Sequence, residues 1–146
     1  MSRELMSDIG ASLQDNLIAG PRFPVQHKGV QLAAGQGPLK RGTVLAILAG
    51  GEAVTVDSSH TINTGTTQNP VNVPDRDKPD CVLAEDIDTG AVSGGSPIDA
   101  VAYSAGYFIR GSLIFGGSDT WGTHETEMRK LNMHLSASID KEGGIH

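Results

Sequence analysis

The chain has 146 residues, a formal net charge of −6 and 38% hydrophobic residues, with one Trp, two Tyr and three Phe. This length predicts a single domain whose core is built mainly from Val, Leu, Ile and Ala. Nineteen glycines and seven prolines predict many turns rather than long helices. The lone cysteine, Cys81, excludes an internal disulfide, and its apolar neighbours favour a buried side chain over a reactive thiol.

The charge is unevenly distributed along the chain. Residues 1–41 carry five basic and three acidic side chains, whereas residues 42–146 carry six basic and fourteen acidic ones. An acidic body repels a phosphate backbone, so nucleic acid is not expected as a partner. For the body, solvated surface charge is the simplest interpretation. For the basic N-terminal segment, a mobile arm that contacts a partner is an alternative.

Targeting signals are not evident in this sequence. No apolar run approaches the ~18 residues that a bilayer span requires, so no membrane partner is expected. Residues 1–8 carry charges of both signs and no apolar stretch, which is not typical of a signal peptide. The protein is therefore expected to be made in a cytoplasm.

Residues 1–28 are predicted to form a flexible N-terminal arm. Two or three helical turns could form there against a neighbouring surface. The apolar positions that would support them are Leu5, Met6, Ile9, Leu13 and Leu17. Gly20-Pro21 and Phe23-Pro24 then interrupt any regular structure, since each proline removes a backbone donor. The stretch around Phe23 is typical of an extended segment that can attach to another surface.

Residues 29–146 are predicted to form one β-rich body. Its strand candidates are Val30–Ala33, Thr43–Leu48, Ala53–Val56, Cys81–Ala84, Ile98–Tyr103 and Tyr107–Phe115. Thr43–Leu48 is almost wholly apolar, which indicates a strand buried on both faces. Gly50-Gly51 and Ala105-Gly106 are predicted as turns, and residues 57–79 as a long polar surface loop.

One helix is predicted near the C-terminus, from His124 to about His134. Thr123 is its expected N-cap, and one face collects His124, Met128, Leu131 and Leu135. Residues 135–139 alternate as a closing strand. The expected fold class is mainly β (α+β), with one short C-terminal helix.

Two motifs resemble catalytic or ligand-binding sites only in part. Gly37–Thr43 has the glycine spacing of a phosphate loop, but Thr43 stands where the lysine belongs and a strand follows. His124 begins a zinc-type helix motif, but Met128 replaces the second histidine. A β-turn and a capped helix are the favoured interpretations.

Acidic and histidine side chains give no clearer indication of chemistry. Asp75, Asp77 and Asp80 resemble a calcium loop in composition, without the glycine and glutamate of that pattern. The five histidines are scattered. No metal, cofactor or catalytic activity is expected. A small metal-dependent or phosphate-handling enzyme remains an alternative that would need a ligand cluster, and the long polar loop leaves a host-binding module open.

Several stretches resemble the head-decoration proteins of tailed phages, of the lambda protein D type. They are Gly29–Ala46, Val82–Asp88 and Ala105–Leu113, followed by the helical stretch Glu127–Leu135 in the same order of elements. The resemblance covers about residues 28–140 and rests on strand and turn patterns. The chain is longer than this pattern, with an N-terminal extension and a larger loop at 57–79.

The resemblance implies a β-clip-like body with a short helix, assembled as a homotrimer on the outer surface of an expanded capsid. The trimer would occupy threefold and quasi-threefold positions on the major capsid protein lattice and cement the shell against internal DNA pressure. The arm would add a strand to the coat protein. Its expected contact residues are Arg22, Phe23, Pro24, Val25 and Gln26, with Phe23 and Val25 as anchors.

Overall fold

The computed structural model describes residues 17–20 and 23–137. Its ten strands are β1 (Gln26–Leu32), β2 (Pro38–Leu39), β3 (Val44–Ile47), β4 (Ala53–Thr55), β5 (Thr61–Asn63), β6 (Asn72–Pro74), β7 (Cys81–Leu83), β8 (Ile87–Asp88), β9 (Ile98–Ile109) and β10 (Met133–Ser136). One α-helix, α1 (Trp121–Lys130), and a 3₁₀ turn at Arg110–Ser112 complete this part of the chain. The mainly β fold with a short helix near the C-terminus is confirmed.

Five strands form a closed ring. They follow the order β1-β4-β3-β7-β9, and β9 pairs back with β1. The β1–β4 contact is parallel, and the other four pairings are antiparallel. β10 adds to β9 in parallel, outside the ring. Two short pairs, β2 with β8 and β5 with β6, lie apart from this sheet.

Alternating side chains of the ring strands supply two apolar clusters. The inner cluster contains Val30, Leu32, Leu39, Leu45, Ala53, Cys81, Leu83, Ala100 and Ala102. The outer cluster joins the opposite faces of these strands to α1, β10 and residue 17, and includes Val44, Val54, Val82, Phe108, Met128 and Met133. Val44 and Leu45 are both 0% exposed, so β3 is buried on both faces as predicted.

β9 runs without interruption through Ala105 and Gly106, so the turn predicted there is wrong. Its first part pairs with β1 from Ile98 to Ala105, and its last part pairs with β10 from Gly106 to Ile109. The strand continues because new hydrogen-bond partners take over where the first partner ends. It then stops at Ile109, short of the predicted Phe115, where the 3₁₀ turn begins.

The helix begins earlier than predicted. Thr120 is the N-cap, and its backbone N–H donates to the Thr123 hydroxyl at 3.1 Å, so Thr123 supports the cap from inside the first turn. Of the predicted apolar face, His124 and Met128 are buried, whereas Leu131 is 42% exposed and Leu135 lies on β10. Asn132, with φ of 66°, then turns the chain into β10. His134 therefore lies on a strand, not on the predicted helix.

Two other boundaries differ from the prediction. β1 begins at Gln26 because His27 and Lys28 pair with Tyr103 and Ala102 of β9. Residues that the sequence assigned to the arm thus belong to the ring. The predicted loop at 57–79 contains the β5–β6 hairpin, whose residues 61–72 are all exposed.

The turn after β1 packs closely against the loop before β9. Gly35 has φ of +88°, and a Cβ added there would lie 2.5 Å from the Ser93 Cα. The Gly35 amide donates to the Thr89 carbonyl at 2.9 Å. Gly37 also has a positive φ, +73°, but an added Cβ would meet nothing within 4 Å.

We predict that Gly35→Ala destabilises the fold more than Gly37→Ala does. Both variants bear the left-handed backbone cost of about 1–2 kcal/mol, but only the first drives a methyl group into backbone. The free energy of unfolding, measured with urea, should be about 1–3 kcal/mol lower for Gly35→Ala than for Gly37→Ala. Equal losses would show that the Gly35 contact with residue 93 does not constrain the turn.

Candidate functional site

A short N-terminal stretch lies along β9. The Ala19 amide donates to the Tyr107 carbonyl at 2.7 Å, and the Ile109 amide donates to the Leu17 carbonyl at 2.7 Å. Ile18 forms an antiparallel bridge with Phe108. Leu17 and Ala19 are 3% and 0% exposed. This stretch is thus a strand-like part of the body, beside the C-terminal half of β9.

The predicted arm residues are placed against the body as well. Phe23 stacks on His134 with ring centroids 3.9 Å apart, and its edge contacts Tyr107 at 5.1 Å. Val25 packs against the outer cluster, Pro24 is exposed, and Gln26 opens β1. Residues 1–16, Pro21 and Arg22 lie outside the described residues. Phe23 and Val25, the expected coat anchors, therefore already contact their own body.

Phe23 borders a groove of about 230 Å³ that also reaches Pro24, Gln26, Ala105, Asn132 and His134. Burial lowers the pKa of His134, and the positive charge of Arg129 lowers it further. The lowered pKa favours the neutral imidazole, which stacks on the Phe23 ring without burying a charge. The sequence did not indicate this contact, because residues 23 and 134 are distant along the chain.

Asp75 ties together the base of the β5–β6 hairpin. Its side chain is 11% exposed and accepts from Arg76 Nη2 at 2.9 Å, while His60 Nδ1 lies 2.7 Å from its other oxygen. The Arg76 guanidinium, with the hydrogen bond to His60, lowers the pKa of Asp75 to about 2 despite burial. The group holds a hairpin in place and leaves no free carboxylate there for a cation.

Ser58, Asp119 and His124 have the composition of a catalytic triad but not its order. Ser58 Oγ donates to Asp119 Oδ1 at 2.6 Å, and His124 Nε2 lies 2.7 Å from Asp119 Oδ2. The serine therefore contacts the carboxylate rather than the imidazole that would activate it. Burial raises the pKa of Asp119, but hydrogen bonds from Ser58 and His124 bring it below the ordinary value. This cluster fixes the start of α1 to the loop after β4.

Each acidic side chain of the stretch that resembles a calcium loop lies beside a basic side chain. Asp80 pairs with Lys28, Asp75 with Arg76, and Asp77 lies 3.9 Å from Lys78. Within residues 17–20 and 23–137, no three His, Cys, Asp or Glu side chains lie close enough to hold a metal ion.

The residues of the phosphate-loop candidate, Gly37–Thr43, and Cys81 also have structural roles. The Thr43 hydroxyl donates to the Lys40 carbonyl at 2.7 Å, and the Gly42 amide donates to the Leu83 carbonyl at 2.9 Å. These donors are therefore not directed at an anion. Cys81 is 0% exposed, and burial raises the pKa of its thiol to about 12, so a thiolate does not form at neutral pH.

Exposed aliphatic side chains flank the β3–β4 turn. A groove of about 440 Å³, here called the β1 groove, is lined by Lys28, Gly29, Val30, Gln31, Ile47, Gly51, Asp99 and Ala100. A second groove of about 460 Å³, here called the hairpin groove, includes Leu48, Ala49, Ile62 and Pro74. Ile47 and Ile62 are 38% and 44% exposed. Both grooves fall in the size range of ligand sites, which makes them candidate contact sites for another chain.

Comparison with known proteins finds no matching protein family and no matching curated protein. Across the described residues, none of the helical structure is both long and apolar enough for a bilayer crossing.

We predict different outcomes for two N-terminal truncations. Removing residues 1–16 keeps Leu17, Ala19 and all of β1, whereas removing residues 1–28 deletes both buried side chains and the first three residues of β1. Burying one Leu side chain contributes about 2–3 kcal/mol. The longer truncation should therefore unfold at lower urea concentration than the shorter one. Equal midpoints would mean that residues 17–28 add nothing to the body.

We predict that Asp75→Asn loses about 2 kcal/mol of stability at pH 7, from the lowered pKa. Because the folded-state pKa lies below the unfolded-state value, the carboxylate stabilises the fold above pH 4. That contribution disappears as the pH falls toward 2. The difference in the free energy of unfolding between wild type and Asp75→Asn should therefore decrease as the pH is lowered. Asp77→Asn is the control, with an expected change under about 0.5 kcal/mol. A difference in the free energy of unfolding that does not change with pH would contradict this role of Asp75.

Proposed function

We propose that this chain is a structural virion protein that decorates the outer surface of a phage capsid. In this proposal it is not an enzyme and uses no cofactor. It is made in the host cytoplasm, binds the major capsid protein lattice of the expanded shell as a homotrimer, and cements that shell against internal DNA pressure.

The observation that carries the proposal is the arrangement of the stretches that resemble decoration proteins. Gly29–Ala46 contains most of β1 together with β2 and the start of β3, Val82–Asp88 contains β8 and most of β7, and Ala105–Leu113 contains the end of β9. These stretches are distant in sequence, yet Val44 pairs with Val82, and Gly106–Phe108 pair with Met133–Leu135. At least one side chain from each stretch packs in the outer cluster: Val44, Val82, Phe108 and Met133. The resemblance therefore falls on one connected structural unit rather than on scattered segments.

Charge supports an external position. Residues 42–146 carry fourteen acidic and six basic side chains, and a surface of this sign would be repelled by packaged DNA. On the outside of the shell the same charge is solvated. A protein that binds only the expanded lattice stabilises it by mass action, about 2.7 kcal/mol per site at a free concentration of one hundred Kd.

Aliphatic surface supports assembly through the body. The hairpin groove exposes Ile62 and is also lined by Leu48, Ala49 and Pro74. A cyclic trimer needs two different surface patches on each copy, one for each neighbour. The hairpin groove provides one of these two patches. Three copies would also give the trimer avidity for the lattice.

A host-binding module on the virion is the second candidate. It is favoured by the β5–β6 hairpin, which exposes Ile62 and Val71 at 44% and 51%. The two functions can be separated by deleting the hairpin tip, residues 64–70. Loss of cell binding with intact capsid binding would favour the host-binding module.

We predict that saturating expanded capsids with the protein raises the temperature at which they rupture. The reason is that a clamp across neighbouring capsomers increases the work of separating them. Rupture is measured by DNA release during heating of bare and decorated particles. An unchanged rupture temperature, with binding confirmed by sedimentation, would contradict the cementing role.

The role of Phe23 is tested in the same assay with paired variants. If Phe23 anchors the coat protein directly, Phe23→Ala should lower the rupture temperature more than His134→Ala does. If it acts only by stacking on its own body, the two variants should cause similar losses. Equal losses would therefore remove Phe23 from the set of coat anchors.

A further inference from the structure

β1 has an open backbone edge. In β9, Val101 accepts a hydrogen bond from the Ala84 amide at 2.9 Å, so its backbone faces the β7 side. Gly29 pairs opposite Val101 and, by the alternation of an antiparallel ladder, directs its N–H and C=O away from β9. His27 occupies the equivalent position two residues earlier. β4 reaches β1 only at Leu32, so within the described residues no strand covers His27 and Gly29.

The β1 groove lies directly beside this edge. Its walls are apolar at Val30, Ile47 and Ala100, and its volume of about 440 Å³ falls in the size range of ligand sites. A Cβ added at Gly29 would meet nothing within 4 Å, so the face of the strand is also open at this residue. An exposed edge next to apolar walls is the arrangement that accepts an added strand.

The rim of the groove favours a basic segment. Lys28 is paired with Asp80, which leaves Asp99 as the other charged group among the lining residues. Among the described residues, the side chain of Asp99 accepts one hydrogen bond, from the neutral amide of Gln31 at 3.1 Å. A second copy of this acidic protein would be repelled by the negative charge of Asp99 at the rim. A lysine or arginine beside the inserted segment would be attracted to it.

We propose that the β1 edge binds an extended aliphatic segment of the coat protein, flanked by a basic residue, which inserts between β1 and the β3–β4 turn. The inserted segment would bond to the free backbone groups of His27 and Gly29 and place an aliphatic side chain against Ile47. The coat protein as the source rests on the proposed function. In this arrangement the body of the decoration protein receives a strand, whereas its arm was expected to donate one.

The test compares Gly29→Pro with Gly29→Ala for binding to expanded capsids of the cognate coat protein. Proline removes the amide hydrogen at the open edge and leaves the bonds of β1 to β9 in place, whereas alanine keeps that hydrogen. We expect at least a tenfold weaker affinity for Gly29→Pro and a change within about threefold for Gly29→Ala. Circular dichroism checks that both variants fold. Equal affinities would overturn the inference, while failure of wild type to bind would overturn the proposed function itself.

A second pair of variants does not depend on the backbone change. Ile47→Asp places a charge in the groove wall, and Ile114→Asp changes an isoleucine of similar exposure, 40% against 38%, outside the β1 groove. Only Ile47→Asp should weaken capsid binding. Equal effects of the two would overturn the inference.

Hydrogen exchange identifies the occupant. The Gly29 amide should become protected when capsids are added. Protection that instead rises with protein concentration, in the absence of capsids, would identify a second copy as the occupant and overturn the assignment to the coat protein.

Discussion

The fold depends on one long strand that must satisfy its backbone groups on both edges. β9 pairs with β1 and then with β10 on one edge, and with β7 and then with residues 17–19 on the other. An unpaired buried amide is costly, so every segment that covers β9 is held in a defined register. This constraint closes the ring and places the N-terminal stretch on the body.

Local patterns in the sequence predicted much of the fold. Short apolar runs bounded by Gly or Pro identified β3, β4 and β7, and the spacing of His124 and Met128 identified the buried helix face. These features were predictable because they depend on nearest neighbours. The continuity of β9 was not, because Ala105-Gly106 has the composition of a turn and only its distant partners keep it extended. The early start of β1 and the contact of Phe23 with His134 depend on distant partners in the same way.

The candidate site was less predictable than the fold. The predicted arm residues Phe23 and Val25 contact the body, and Arg22 lies outside the described residues. The sequence indicated Asp75 and His124 as possible metal ligands. The structure instead pairs Asp75 with Arg76 and His60, and His124 with Asp119, through tertiary contacts. In both cases the polar side chains stabilise loops. The surface that remains for binding consists of aliphatic side chains and a backbone edge, which suits assembly on a repeating lattice.

In the proposed function, an acidic body with an open strand edge would reinforce a much larger shell. β3 is buried on both faces, so force applied at the lattice would be carried by a packed core. The most direct measurement is a cryo-electron microscopy reconstruction of expanded capsids saturated with the protein. We expect three copies around each threefold and quasi-threefold position, on the outer surface. Absence of ordered density, single copies elsewhere on the lattice, or density on the inner surface would contradict the proposal.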